Sequence, residues 1–248
     1  MVFNSYLMRV ALQAGLTLAC VLPFVGIGVW HFRTRRWGLL LFVAFLVVLD
    51  VTLVEIPRVD GFQHLHWSWQ ESLLSSAWPF LLAALVPAIS LTSIGVTSRF
   101  HSGWLKPSIV AGLVAIAVPA VFFAIGAHKK LNWEGWAFLL TMPGLAEELV
   151  FRGVYQSLLN RVFGKPWRLA NAEFGWGLVV TAILFAGFNG LVVVDAQLHP
   201  RIFLPAAIAP TMLSLVSGWV RERANSVWPS VVGHNLSNIV IPLGSLFV

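Results

Sequence analysis

The chain has 248 residues, of which 58% are hydrophobic and 10% charged, and carries a formal net charge of +6. Its mean hydropathy is +0.82. A soluble domain holds about 25% charged residues, so the composition excludes an ordinary soluble domain. The positive charge does not indicate nucleic acid, because the basic residues are scattered through short loops, where they set membrane topology.

Taken in chain order, apolar runs occupy about residues 7–30, 38–56, 73–95, 108–127, 137–159, 176–194, 202–220 and 227–247. At roughly 20 residues per span, this predicts an all-α, polytopic transmembrane bundle of about eight spans. The runs lack strand-type alternation, which argues against a barrel. The whole chain, 1–248, reads as a single integral membrane domain, multi-pass, with no nucleic-acid partner. The first run is followed by Arg33, Arg35 and Arg36 rather than a cleavage site, so it is expected to be a retained span. Cys20 lies inside that run and reads as a small apolar filler. The longest connection, at about 57–72, is expected along the surface.

Loops after the odd-numbered runs carry Arg33, Arg35, Arg36, Arg99, Lys106, Arg161, Lys165, Arg168, Arg221 and Arg223. The positive-inside rule puts them in the cytoplasm and both termini outside. Tryptophans 30, 37, 104, 133, 136, 167, 176, 219 and 228 fall near the predicted span ends. An indole is most stable there, at headgroup level.

The fifth run contains Glu147, Glu148 and Arg152. A charge at bilayer depth costs about 2.5–3.5 kcal/mol on insertion scales, so three in one span call for a purpose. Glu148 and Arg152 are four apart, which places them on one helix face with the acid first. Arg152 is expected to neutralise and orient Glu148. Glu147 is rotated by about 100° from that pair and is the candidate general base, poorly solvated and facing the bundle. The bland reading is an ion-pair cluster that locks helices together. Pro143 and Gly144, one turn earlier, are expected to bend the helix and free carbonyls near the acids.

In the last run His234 and Asn238 are again four apart. Of seven histidines, His234 alone lies well inside a run. An imidazole and an amide on one face can serve as an oxyanion site; the bland alternative is a pair of interhelical hydrogen bonds. The sixth run contains FAGFNG, with Asn189 between Gly187 and Gly190, a place where an asparagine usually bonds a neighbouring helix.

Together these patches resemble the CPBP family of intramembrane proteases, also called the ABI or CAAX-protease family, over about residues 137–248. The first motif, E-E-x-x-x-R, is Glu147, Glu148 and Arg152. The third, H-x-x-x-N/D, is His234 and Asn238, within GWVRERANSVWPSVVGHNLSN. The second motif, F-x-x-x-H, is matched at Phe185, but Asn189 stands in place of the histidine. The resemblance implies a glutamate-type intramembrane endopeptidase in a prokaryotic inner membrane. Glu147 would activate water, Glu148 and Arg152 would support it, and His234 with Asn238 would stabilise the oxyanion. Asparagine can position a water but cannot take its proton, so Asn189 would orient the water. His199, ten residues on, is expected to be a loop histidine. The implied partners are the lipid bilayer and a membrane-anchored or lipidated peptide substrate, cleaved near its C-terminal end.

No cofactor and no metal are expected, since H-E-x-x-H is absent and the best nitrogen donor of the second motif is missing. Two other readings compete. One is a catalytically silent member acting as a membrane binding, scaffold or immunity protein. The other is a transporter, suggested by intramembrane carboxylates and opposed by the absence of an inverted repeat.

Overall fold

The computed structural model describes residues 2–56, 68–124, 131–195 and 197–243. The expected surface connection at 57–72 therefore lies largely outside the described residues. The chain is mostly helical. Helices α1 (Val2–Phe32), α2 (Trp37–Glu55), α3 (Trp69–Leu85), α4 (Leu105–Ala124) and α5 (Trp133–Glu148) come first. A π-helical stretch, Leu149–Tyr155, then leads directly into α6 (Gln156–Phe163). Short strands β1 (Trp167–Leu169) and β2 (Ala172–Phe174) precede α7 (Trp176–Ala186) and a second π turn, Gly187–Leu191. Strands β3 (Val192–Val194) and β4 (Pro200–Ile202) lead to α8 (Leu204–Ala224) and α9 (Trp228–Leu243).

Helices α2, α5, α7 and α9 all begin on a tryptophan, where the sequence places interface rings. Among the described residues, two helical stretches, Ser5–Phe32 and Trp37–Glu55, are long and apolar enough to cross a membrane. Shorter apolar stretches are Leu105–Ile116 and Trp176–Leu191. Many large apolar side chains point outward, among them Leu22, Leu41, Leu85 and Leu113. Such a surface is at home in lipid, whose tails are as apolar as leucine.

The structure corrects two details of the predicted runs. The third run ends as a helix at Leu85, well before residue 95. Val86 adopts an extended backbone, because the following Pro87 disfavours the helical region for its predecessor. The sixth run breaks at Asn189 and at Gly190, whose φ is 122°. Past that turn the β-branched trio Val192–Val194 forms an antiparallel pair with Pro200–Ile202, Val193 opposite Arg201. Among the described residues the chain is thus mostly helical with four three-residue strands, rather than purely helical.

Contacts group the chain into two compact units where the sequence suggests a single membrane domain. The first comprises Met1–His64, Val154–Leu169 and Glu173–Leu215. Within it, α1 packs on α2 and α7, and α6 packs on α2 and α7. Trp176 donates to the Phe24 carbonyl at 2.7 Å, and the buried Tyr155 hydroxyl donates to the Leu46 carbonyl at 3.1 Å. Cys20 packs against the buried cluster of Ala186, Leu191 and Val192, which suits a small apolar side chain.

The second unit comprises Leu65–Gly153, Ala170–Ala172 and Val216–Val248. In it α5 packs against α3 and α9, and α4 against α9. The start of α9 is held from several sides. Val227 N–H donates to Gly95 O at 2.9 Å, Ser226 Oγ donates to Thr97 O at 2.7 Å, and Ser230 Oγ donates to Ser217 O at 2.8 Å. Arg223 donates to the carbonyls of Ser102 and Gly103. The segment RERANSVWPS thus fixes the register of the helix that carries His234.

Candidate active site

The candidate site lies where α5 crosses α9. Gly144 lets the two helices touch: a Cβ built there would fall 2.5 Å from the Val231 carbonyl oxygen and 2.6 Å from Asn235 Oδ1. In place of that methyl, the Gly144 N–H donates to Asn235 Oδ1 at 2.7 Å. Asn235 Nδ2 in turn donates to the Thr141 carbonyl at 3.2 Å. The buried Asn235 therefore clamps the helix on either side of Pro143. Proline gives that turn one donor fewer, and a side-chain amide can satisfy one donor and one acceptor at once.

One turn further on, Glu148 and Arg152 are fully buried, at 0% exposure each. Arg152 Nε lies 3.0 Å from Glu148 Oε2, and Nη2 donates to Oε1 at 3.4 Å. This is the expected pairing, made within a segment whose wider π turn begins at Leu149. π turns inside α-helices are frequent at functional sites.

His234 completes the cluster. Its Nδ1 is 2.9 Å from Glu148 Oε1, and its Nε2 is 3.8 Å from Glu147 Oε2. Glu148 is an acceptor facing a guanidinium, so the proton between it and the ring belongs to Nδ1–H, which donates. The ring is thereby fixed with Nε2 turned toward Glu147. The Glu147 side chain is 30% exposed, against 14% for His234 and none for Glu148. At 3.8 Å, Nε2 and Glu147 are too far apart for a direct hydrogen bond, yet near enough for one water to touch both. In neutral His234 both groups are acceptors, so a water there would donate one proton to each.

The structure thus brings Glu147, Glu148, Arg152 and His234 together. Asn238 lies half-buried one turn beyond His234 on α9. Asn189 belongs to the first unit, where its Nδ2 donates to the Phe185 carbonyl at 3.1 Å. That bond is within its own helix, not to a neighbouring one as the sequence suggested. The cause is the break at Asn189 itself, where φ is −105° and ψ is 36°. His199 sits in the exposed β3–β4 turn, its N–H donating to Asp195 Oδ1 at 2.8 Å. Sequence reasoning missed Asn235, which adjoins His234 yet turns its amide to the backbone of α5. The signal was available: a second amide beside the motif histidine, opposite a Pro-Gly pair. Among the described residues, no group of three or more His, Cys, Asp or Glu side chains is arranged to hold a metal ion.

Two adjacent carboxylates sharing one imidazole, with an arginine behind, form an acid–base cluster within apolar helices. Residues 129–240 match the Rce1-like family, type II CAAX prenyl endopeptidase Rce1-like. That segment carries the CPBP, or CAAX-protease, family signature and includes every residue of the cluster; the family is one of membrane-embedded hydrolases. No curated protein and no solved structure matches the chain.

Proposed function

We propose that the chain is a glutamate-type intramembrane endopeptidase that hydrolyses a peptide bond near the C-terminal end of a membrane-anchored or lipid-modified protein. The observation that supports this best is His234 held between Glu148 at 2.9 Å and Glu147 at 3.8 Å. Glu147 and His234 Nε2 would hold the attacking water by its two protons, leaving an oxygen lone pair for the scissile carbonyl. Attack forms the C–O bond and transfers a proton to the Glu147 carboxylate. Collapse of the tetrahedral intermediate breaks the C–N bond, and the proton passes to the leaving amine.

Arg152 offsets the Glu148 charge, and Glu148 fixes the ring. If His234 instead enters the cycle as an imidazolium, its second proton taken from bulk water, Glu147 alone holds the attacking water and Nε2–H is a donor. In that state it would join Asn238 as the oxyanion site. The reading needs no metal or cofactor. It places the chain in a prokaryotic inner membrane with about eight spans as one integral domain, the chemistry residing in 137–248.

Glu147→Gln tests it. Glutamine keeps the size and loses the base, so cleavage of a prenylated C-terminal peptide in proteoliposomes should fall by about 10²–10⁴-fold while the thermal midpoint stays put. Cleavage at the parental rate would remove Glu147 from the chemistry. A second reading, a silent member that binds its peptide without cutting, draws support from Asn189, whose amide is engaged by Phe185. On that reading the parent protein binds the same peptide and releases no product.

A further inference from the structure

A cleft of about 390 Å³ lies between α4 and α9, on the side of α9 away from α5. Its walls are apolar, with Phe100, Trp104, Leu113, Ile116, Val232 and Leu236 prominent. The residues lining it are ordered along α4. In sequence, the exposed cations Arg99 and Lys106 adjoin the lining residues Phe100 and Leu105. One turn in, Ser108 lines the cleft, only 8% exposed, and its Oγ has no hydrogen-bond partner among the described residues. Beyond Ser108 the walls are wholly apolar, through Gly112 and Leu113 to Ile116. From Leu105 to Ile116 the helix rises roughly 16 Å at about 1.5 Å per residue.

A buried hydroxyl without a partner costs free energy, and the lining residues that follow it along α4, Ile109, Gly112, Leu113 and Ile116, carry no polar side chain. Cation, hydroxyl and apolar trough therefore succeed one another in the order in which a glycerophospholipid presents phosphate, ester carbonyl and acyl chain. Gly112 and Gly233 line the cleft and face open space, with nothing within 4 Å of a Cβ built on either. The trough is therefore kept open where any larger side chain would fill it.

We propose that this cleft is a binding site for an anionic glycerophospholipid of the surrounding bilayer. One acyl chain lies between α4 and α9, an ester carbonyl accepts from Ser108 Oγ, and the phosphate sits between Arg99 and Lys106. The site is separate from the acid–imidazole cluster, which lies on the α5 side of α9. The assignment does not depend on peptide hydrolysis.

Native mass spectrometry of the full chain tests it. The protein is released from nanodiscs of equimolar dioleoyl-phosphatidylglycerol and dioleoyl-phosphatidylcholine. One lipid should remain bound, with phosphatidylglycerol preferred by tenfold or more, since each cation near the headgroup is worth about a factor of five. Arg99→Gln with Lys106→Gln should erase the headgroup preference while leaving one lipid bound. Gly112→Leu fills the trough from α4, and Val232→Trp fills it from α9; each should abolish retention of either lipid. Two variants on different helices guard against misfolding of one. Equal retention of both lipids by the parent, or undiminished retention in both filled variants, would overturn the site. So would retention only of a lipidated peptide added as competitor, which would assign the trough to a substrate chain.

Discussion

Gly144→Ala adds one methyl at the point where α5 and α9 touch. The built Cβ lies 2.5 Å from the Val231 carbonyl oxygen, and ordinary contact begins near 3.4 Å. Backbone cannot rotate away as a side chain can, so α9 must retreat by the difference, roughly 0.9 Å, as overpacking forces backbone shifts. Asn235 Oδ1 is also displaced, and the Gly144 N–H loses its acceptor. If α9 moves as a rod, the 2.9 Å bond from His234 to Glu148 opens to roughly 3.8 Å, beyond hydrogen-bond range. Overpacking of this kind costs about 1–3 kcal/mol, and a misplacement of about 1 Å at a catalytic group costs on the order of 10²-fold in rate. Thermal unfolding in detergent and cleavage of a prenylated C-terminal peptide in proteoliposomes read the two effects. Gly15→Ala is the control: it lies in α1 with nothing within 4 Å, and alanine there should stabilise by up to about 1 kcal/mol. If Gly144→Ala matched the control in both stability and rate, the close crossing of α5 and α9 would not be what sets the site.

Glu148→Gln leaves the fully buried Arg152 without its carboxylate, and breaking a buried pair from one side costs about 3–5 kcal/mol; the thermal midpoint should fall far more than for Glu147→Gln. His234→Ala and Glu148→Gln should be strongly non-additive in kcat/KM, because they remove two ends of one hydrogen bond; additive losses in a double-mutant cycle would mean that Glu148 does not act through His234. In the β3–β4 turn, Asp195 is held below the usual carboxylate range, chiefly by the His199 backbone N–H, with its own desolvation opposing and the His199 and Arg201 charges and the Gln197 backbone N–H assisting. Its folded value lies below the unfolded value of about 3.9, so its contribution to the turn is complete above that value and is lost as pH falls through the lower, folded one. A carboxyl resonance of Asp195 that titrates at or above the unfolded value would contradict this.

Apolar runs, tryptophan positions and the Glu148–Arg152 pair were legible because each follows from local periodicity or from one-residue energetics. The end of α3 was also legible in principle, since Val86 precedes a proline, but an unbroken apolar run through residue 95 masks it. The strands β3 and β4 were not, because three valines after Gly190 look like more of the same apolar run. Pairing them requires the partner Pro200–Ile202, which no local pattern announces. The roles of Asn235 and of His234 Nδ1 depend on which faces of α5 and α9 meet. That is set by Gly144 and by the fastening of the α9 start to Gly95 and Thr97, contacts distant in sequence.

The two glutamates are chemically identical and adjacent, yet their surroundings separate them. Successive helical residues point about 100° apart, so one imidazole can be approached by both carboxylates only at different nitrogens. Glu148 takes the side that faces Arg152 and is sealed from water. Its charge is spent on holding the guanidinium and the ring, a fixed electrostatic frame that costs no reorganisation when charge develops elsewhere. Glu147 takes the outer side, where 30% of its side chain remains accessible, while its Oε2, the oxygen nearest His234, is covered. A buried base without water would have nothing to activate, and an exposed one without a fixed partner would have no defined geometry. On the proposed mechanism the E-E pair would resolve that conflict by placing one acid on each side of the same ring, which would give a physical reason for two acidic residues in succession where one alone is already expensive in lipid.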